Sequence, residues 1–121
     1  MSPTRQTICI IDDDESVRRA LQRLLRSVGL NVAAFATAEE FLQSPEPAPD
    51  CIILDMHLPG LSGLELLLQL NADDRKIPVV LITAFVDEHA RNLALRAGAI
   101  AFLQKPFDEL ALLGAVRNAT G

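Results

Sequence analysis

The residues able to do chemistry in this sequence stand where short apolar runs end. Asp12, Asp55 and Thr83 directly follow such runs, and Asp13 and Lys105 lie one residue further on. Two or three carboxylates gathered within a few ångström repel, and cannot all stay ionised without a cation. A hard divalent ion resolves that conflict. Mg²⁺ takes oxygen ligands, keeps several waters and uses one or two carboxylates plus a phosphate oxygen. Zinc fits poorly, because His57 and His89 are isolated and no His/Cys cluster is present. Whether the acids and the ammonium of Lys105 meet depends on the elements that carry them.

Those elements alternate. Ile8 to Ile11 is wholly apolar and rich in β-branched residues, as expected of a strand covered on both faces. Val17, Ala20, Leu21, Leu24, Leu25 and Val28 then recur at amphipathic-helix spacing, with Gly29 as the stop. Val32 to Phe35 reads as a weaker second strand. Thr37 and Glu40 have capping-box spacing for a short helix to about Gln43, before a proline-rich loop at 44–49. Cys51 to Leu54 is a third strand. Ser62 and Glu65 form a second capping box, opening a Leu-rich helix to about Leu70. Pro78 to Ile82 is a fourth strand, followed by a helix from an Asp87 cap to Ala97 with Gly98 as its stop. Ala99 to Leu103 is the fifth strand, and a last helix runs from about Asp108 to Asn118.

Five β-α repeats of this kind imply an α/β, doubly wound, five-stranded parallel sheet with helices on both faces and right-handed crossovers. In such folds ligands bind beyond the carboxyl ends of the strands. The fold class suggests strand order 2-1-3-4-5, which would make the four strand ends neighbours.

Four segments carry a resemblance that covers the chain from about Thr7 to Ala119. Ile8 to Asp14, Ile53 to Gly60, Ile82 to Ala84 and Leu103 to Phe107 resemble, in order, the signatures of the response-regulator receiver domain, a flavodoxin-like (βα)5 fold. The Phe102 to Phe107 stretch is similar to the FixJ-type subgroup. The resemblance implies that Asp55 is the phosphoacceptor for a sensor histidine kinase or phosphotransfer protein. It implies that Asp12, Asp13, Asp55 and the backbone carbonyl of His57 hold Mg²⁺, with Mn²⁺ able to substitute. Lys105 would pair with Asp55, then with a phosphoryl oxygen; Thr83 would donate its hydroxyl to the phosphoryl group, and Phe102 would turn inward with it. The Lys105–Pro106 bond is a candidate cis peptide. His57 and Phe85 would flank the path of hydrolytic water and tune the phosphoryl lifetime.

A phosphoryl group adds about −1.5 to −2 charge at one point. Drawing Thr83 and Lys105 towards it would bias the surface of the fourth helix, fifth strand and fifth helix, the expected signalling and homodimerising face. Residues 1–6 read as a tail, 7–119 as the receiver, and 120–121 as its end, where a linker to an output domain would begin. The expected role is a phosphorylation-dependent switch controlling an output, in keeping with transcription regulation, rather than an enzyme, apart from its own phosphotransfer and autodephosphorylation.

Composition narrows the alternatives. The 121 residues are half hydrophobic and carry a net charge of −5, which suits one compact domain and disfavours nucleic-acid binding by this chain. Without Asp12, Asp13, Asp14, Glu15 and Asp55 the acids would equal the 11 Lys+Arg, so the excess concentrates at the candidate site. Asp14 and Glu15 also suit the first turn of a helix. Cys9 and Cys51 lie in apolar strands and read as buried thiols, consistent with a cytoplasmic protein. No apolar run approaches the roughly 18 residues of a membrane span. Arg18, Arg19, Gln22, Arg23 and Arg26 read as the outer face of the first helix, either simply solvated or guiding a kinase or phosphotransfer partner to the acidic pocket. Two other readings remain open at this level: a receiver-like interaction module that is never phosphorylated, and an aspartyl phosphatase of haloacid-dehalogenase type using the Asp12-x-Asp14 pair.

Overall fold

The computed structural model describes residues 6–44, 47–73, 76–85 and 87–121. Of the expected tail, all but Gln6 lies outside the described residues, as do Pro45 and Glu46 of the proline-rich loop. The elements alternate as β1 (Thr7–Ile11), α1 (Glu15–Ser27), β2 (Asn31–Phe35), α2 (Ala38–Gln43), β3 (Cys51–Asp55), α3 (Gly63–Ala72), β4 (Val79–Thr83), α4 (Glu88–Arg96), β5 (Ala101–Gln104) and α5 (Glu109–Thr120). The strands form one parallel sheet in the order β2-β1-β3-β4-β5.

Side chains alternate along each strand, so every strand feeds two layers. Cys9, Ile11, Ile52, Leu54, Val79 and Leu81 pack with Ala38 of α2, Leu66, Leu67 and Leu70 of α3, and Ala94 of α4. Ile8, Ile10, Cys51, Ile53, Val80 and Ile82 pack with Leu21 and Leu25 of α1 and Leu112, Ala115 and Val116 of α5. Each fully buried Ile or Leu contributes about 1.5–3 kcal/mol. The central strands β1, β3 and β4 are covered on both faces, which is why their sequences are unbroken apolar runs. The edge strands β2 and β5 are only half-buried along most of their length, and their sequences are correspondingly mixed.

Several boundaries differ from the sequence reading. Asp55 and Thr83 close β3 and β4 from inside the strands. β5 begins at Ala101 because the amide of Ala99 still donates to Ala94 O, closing α4. Gly98, at φ +98, makes the left-handed turn there, as Gly29 at φ +87 does after α1. Ala20 and Val28 are exposed; the inward stripe of α1 rests on Leu21 and Leu25. The Ser62–Glu65 capping box is complete, whereas Thr37 accepts from Glu40 N without a return bond to its own amide. Asp108 makes no side-chain cap, and α5 continues to Thr120.

Candidate functional site

The sheet order makes the carboxyl ends of β1, β3, β4 and β5 neighbours, and this is where the polar groups gather. The buried polar or charged side chains among the described residues are Asp12, Asp55 and Thr83, all at this edge. One carboxylate oxygen from each of Asp12, Asp13 and Asp55 lies within 4.8 Å of the others.

Asp12 is completely buried and held at every polar atom. Its amide donates to Phe35 O at 3.1 Å, and its Oδ1 accepts from Asp14 N at 2.9 Å. Its carbonyl accepts from Arg18 Nη1 at 2.7 Å. Its Oδ2 lies 2.7 Å from Lys105 Nζ; this is a charge contact, since Oδ2 receives no well-aligned hydrogen bond. Asp55 Oδ1 accepts from His57 N at 3.0 Å, and Oδ2 from Lys105 Nζ at 3.3 Å. Lys105 thus bridges the two buried acids, and the Lys105–Pro106 bond is cis.

Burial pushes the Asp55 carboxyl above its ordinary value; the charge of Asp12 adds to this, while the His57 N–H and Lys105 oppose it. For Lys105, burial works against the ammonium but is outweighed by its close contacts with the charged Asp12 and Asp55, so its value is raised. The site is a carboxylate-rich pocket that one ammonium neutralises incompletely.

Thr83 is buried at the same edge, but its hydroxyl is committed elsewhere. Oγ1 accepts from Phe85 N and lies 3.1 Å from Phe85 O, to which it donates. The link from Thr83 to Lys105 runs through the backbone, Lys105 N donating to Thr83 O at 2.7 Å. Phe102 is half-buried and packs on the core layer that includes Ala94 of α4. Phe85 is 73% exposed, and its ring meets that of His57 edge-to-face at 6.0 Å. Asp14 is not among the clustered acids; its carboxylate caps α1 by accepting from Ser16 N and Val17 N. With the Asp14 carboxylate spent on the helix cap, the aspartyl-phosphatase reading is not favoured.

Three supporting residues carried no sequence signal. Arg18 belongs to the site's frame rather than to a solvated face. Glu39 of α2 reaches across to accept from Leu61 N at 3.0 Å, tying down the loop after β3. Gly63 sits against the β3 end so closely that a Cβ there would lie 2.1 Å from Asp55 O. A long-range side-chain-to-backbone bond has no local pattern, and a glycine required by close approach looks like any turn glycine.

A family profile described as the response regulator receiver domain matches residues 8–117. The chain belongs to the response regulator receiver family. Nodulation protein W of Bradyrhizobium diazoefficiens is 44% identical over 118 residues, which cover 97% of this chain and 52% of that protein. Transcriptional regulatory protein FixJ of Azorhizobium caulinodans is 41% identical over 120 residues, covering 98% and 57%. The structure of response regulator StyR superposes with a TM-score of 0.89 at 46% identity, covering 97% of this chain and 60% of that one. That of a putative response regulator from Chloroflexus aurantiacus superposes with a TM-score of 0.89 at 34% identity, covering 97% and 98%. The receiver spans a little over half the length of the two sequence relatives.

Receiver domains bind Mg²⁺ at an acidic pocket, and the residues present here suit that ion. The donor set is all carboxylate oxygen, and the buried Asp12 Oδ2 lacks a directed hydrogen bond. Receivers are signalling switches rather than enzymes in the ordinary sense. Among the described residues, no helix is long and apolar enough to cross a membrane.

Proposed function

We propose that this receiver takes a phosphoryl group from a sensor histidine kinase or phosphotransfer protein onto Asp55, and signals through α4, β5 and α5. The observation that carries the proposal is the position of Asp55: a carboxylate at a strand end, among two further acids, with one oxygen on a backbone N–H and the other on Lys105. One oxygen of Asp55 attacks phosphorus as the bond from phosphorus to the histidine nitrogen breaks; an oxygen–phosphorus bond forms, and the imidazole leaves with the bonding pair. Asp12, Asp13, Asp55 and the His57 carbonyl would hold Mg²⁺, or Mn²⁺ in its place. The bound ion would neutralise phosphoryl oxygens that otherwise repel an anionic nucleophile.

Lys105, already on Asp55 Oδ2, passes to a phosphoryl oxygen. Thr83 Oγ1 leaves the Phe85 backbone to donate to another. That exchange frees the Phe85 segment immediately before α4, and gives Phe102 room to move inward. The exposed Leu93 and Leu95 of α4, Ile100 before β5 and Leu110 of α5 suit this face to homodimer contact or to an output domain. Phe85 and His57, whose rings meet edge-to-face, would flank the approach of hydrolytic water and set the rate of autodephosphorylation. The setting is the cytoplasm, with the receiver occupying residues 7–119 and transcription as the controlled output.

The test is incubation with acetyl phosphate and Mg²⁺, read by intact mass. One phosphoryl group should be added, and Asp55→Asn should abolish the addition. If the wild type takes up neither phosphoryl group nor beryllofluoride, the proposal fails.

A further inference from the structure

Asp13 is the loosely held member of the carboxylate cluster. Asp12 and Asp55 are buried and each is fixed by several contacts. Asp13 is exposed, and among the described residues no hydrogen bond or ion pair holds its carboxylate, yet its oxygen lies within 4.8 Å of the other two. With no side-chain restraint, its aim is set by the backbone, chiefly by the plane of the peptide joining Asp12 to Asp13.

That peptide is gripped from α1. Arg18 is half-buried, and its Nη1 donates to the Asp12 carbonyl at 2.7 Å. Helix side chains lean towards the N-terminus, so a long residue in the first turns can reach the preceding loop. The adjacent Arg19 behaves differently: its side chain is 72% exposed and pairs with Glu15 one turn back.

We propose that Arg18 is a positioning residue of the divalent-cation site: its bond to the Asp12 carbonyl locks the Asp12–Asp13 peptide and so aims the Asp13 carboxylate at the ion. The inference rests on reading Asp12, Asp13 and Asp55 as metal ligands. It makes a claim of sign that charge alone contradicts. A guanidinium beside a cation site repels the cation, so on electrostatics alone its removal tightens binding. If Arg18 positions a ligand, its removal weakens binding.

Calorimetric titration of the folded chain with Mg²⁺ separates the two, using wild type, Arg18→Met, Arg18→Lys and Arg19→Met, with urea unfolding on each. Arg18→Met keeps the apolar stem and removes charge and donor; its affinity should fall by about tenfold, the low end for outer partners of metal ligands. Arg18→Lys should recover part of the loss, and Arg19→Met should bind as tightly as wild type or more so. If Arg18→Met does not fold, Arg18→Leu, which likewise removes charge and donor, makes the same comparison. Mg²⁺ affinity in the Arg18 variants equal to or above wild type, even with a lowered urea midpoint, overturns the proposal. Failure of the wild type to bind Mg²⁺ at all instead overturns the metal reading beneath it.

Discussion

Lys105→Met offers the sharpest test of how the acidic pocket is held together. The ammonium lies 2.7 Å from Asp12 Oδ2 and 3.3 Å from Asp55 Oδ2, with its side chain 18% exposed. At an effective dielectric of about 20, those separations correspond to gross attractions of roughly 6 and roughly 5 kcal/mol. Desolvation offsets several kcal/mol per ion, so the gross sum is not the stability at stake. Removing one partner of a buried ion pair typically costs about 3–5 kcal/mol, because the remaining charges stay buried without compensation. Here two carboxylates would be left facing each other. In EDTA, the variant should lose about 3 kcal/mol in urea unfolding followed by circular dichroism. Its melting temperature should fall by about 12 °C, at about 4 °C per kcal/mol for a domain of this size. Millimolar Mg²⁺ should restore much of the difference, since a divalent ion bound only to the folded state supplies the missing positive charge. A variant as stable as wild type in EDTA, or one whose deficit is the same with and without Mg²⁺, would refute the reasoning.

Three further outcomes follow from the same geometry. Asp55→Asn should raise the melting temperature in EDTA at neutral pH, because burial and the charge of Asp12 disfavour the ionised carboxyl. With its folded value raised, the stability linked to its proton is full below the ordinary value of 3.8 and is lost as pH climbs through the folded value. The gain should therefore shrink towards acid, and a variant less stable than wild type at neutral pH would contradict this. Gly63→Ala should cost at least about 2 kcal/mol in urea unfolding and slow phosphorylation by acetyl phosphate, since a Cβ 2.1 Å from Asp55 O forces the β3–α3 loop to shift; stability within about 0.5 kcal/mol of wild type would show that the loop yields freely. Cys9 and Cys51 are buried, and burial pushes both thiols up to about 12. Ellman's reagent should react with neither thiol in the native protein and with both in urea, and prompt modification of the folded chain would count against this packing.

The strand ends were legible because a parallel strand covered on both faces must be apolar until it leaves the sheet. The first polar residue after Ile8–Ile11, Cys51–Leu54 or Val79–Ile82 therefore marks where a ligand site can form. The same logic misplaces boundaries by a residue or two, since the hydrogen-bonded ladder ignores side-chain polarity. Asp55 stays in β3 and Thr83 in β4, while Ala99, apolar but bonded to Ala94, belongs to the end of α4. Capping at Ser62 was readable because both partners lie within one turn. The identical spacing at Thr37 formed only half the box, a difference that local pattern does not encode. Arg18 escaped because arginines along one polar stripe look alike until one is seen to fold back onto a carbonyl.

The members of the pocket differ in how firmly they are held. Asp12 is anchored at its amide, its carbonyl and both carboxylate oxygens, and Asp55 at both oxygens. Thr83, by contrast, spends its hydroxyl on the exposed segment at Phe85, and Asp13 has no side-chain partner among the described residues. The rigid members set where a cation and a phosphoryl group would sit. On the proposed switch, the Thr83 hydroxyl would exchange its two bonds to the Phe85 backbone for one to a charged phosphoryl oxygen. Such an exchange would release the backbone of Phe85, two residues ahead of the Asp87 cap of α4. A switch needs that asymmetry: a fixed point where charge arrives, and beside it a group whose present bond is worth less than the one phosphorylation would offer.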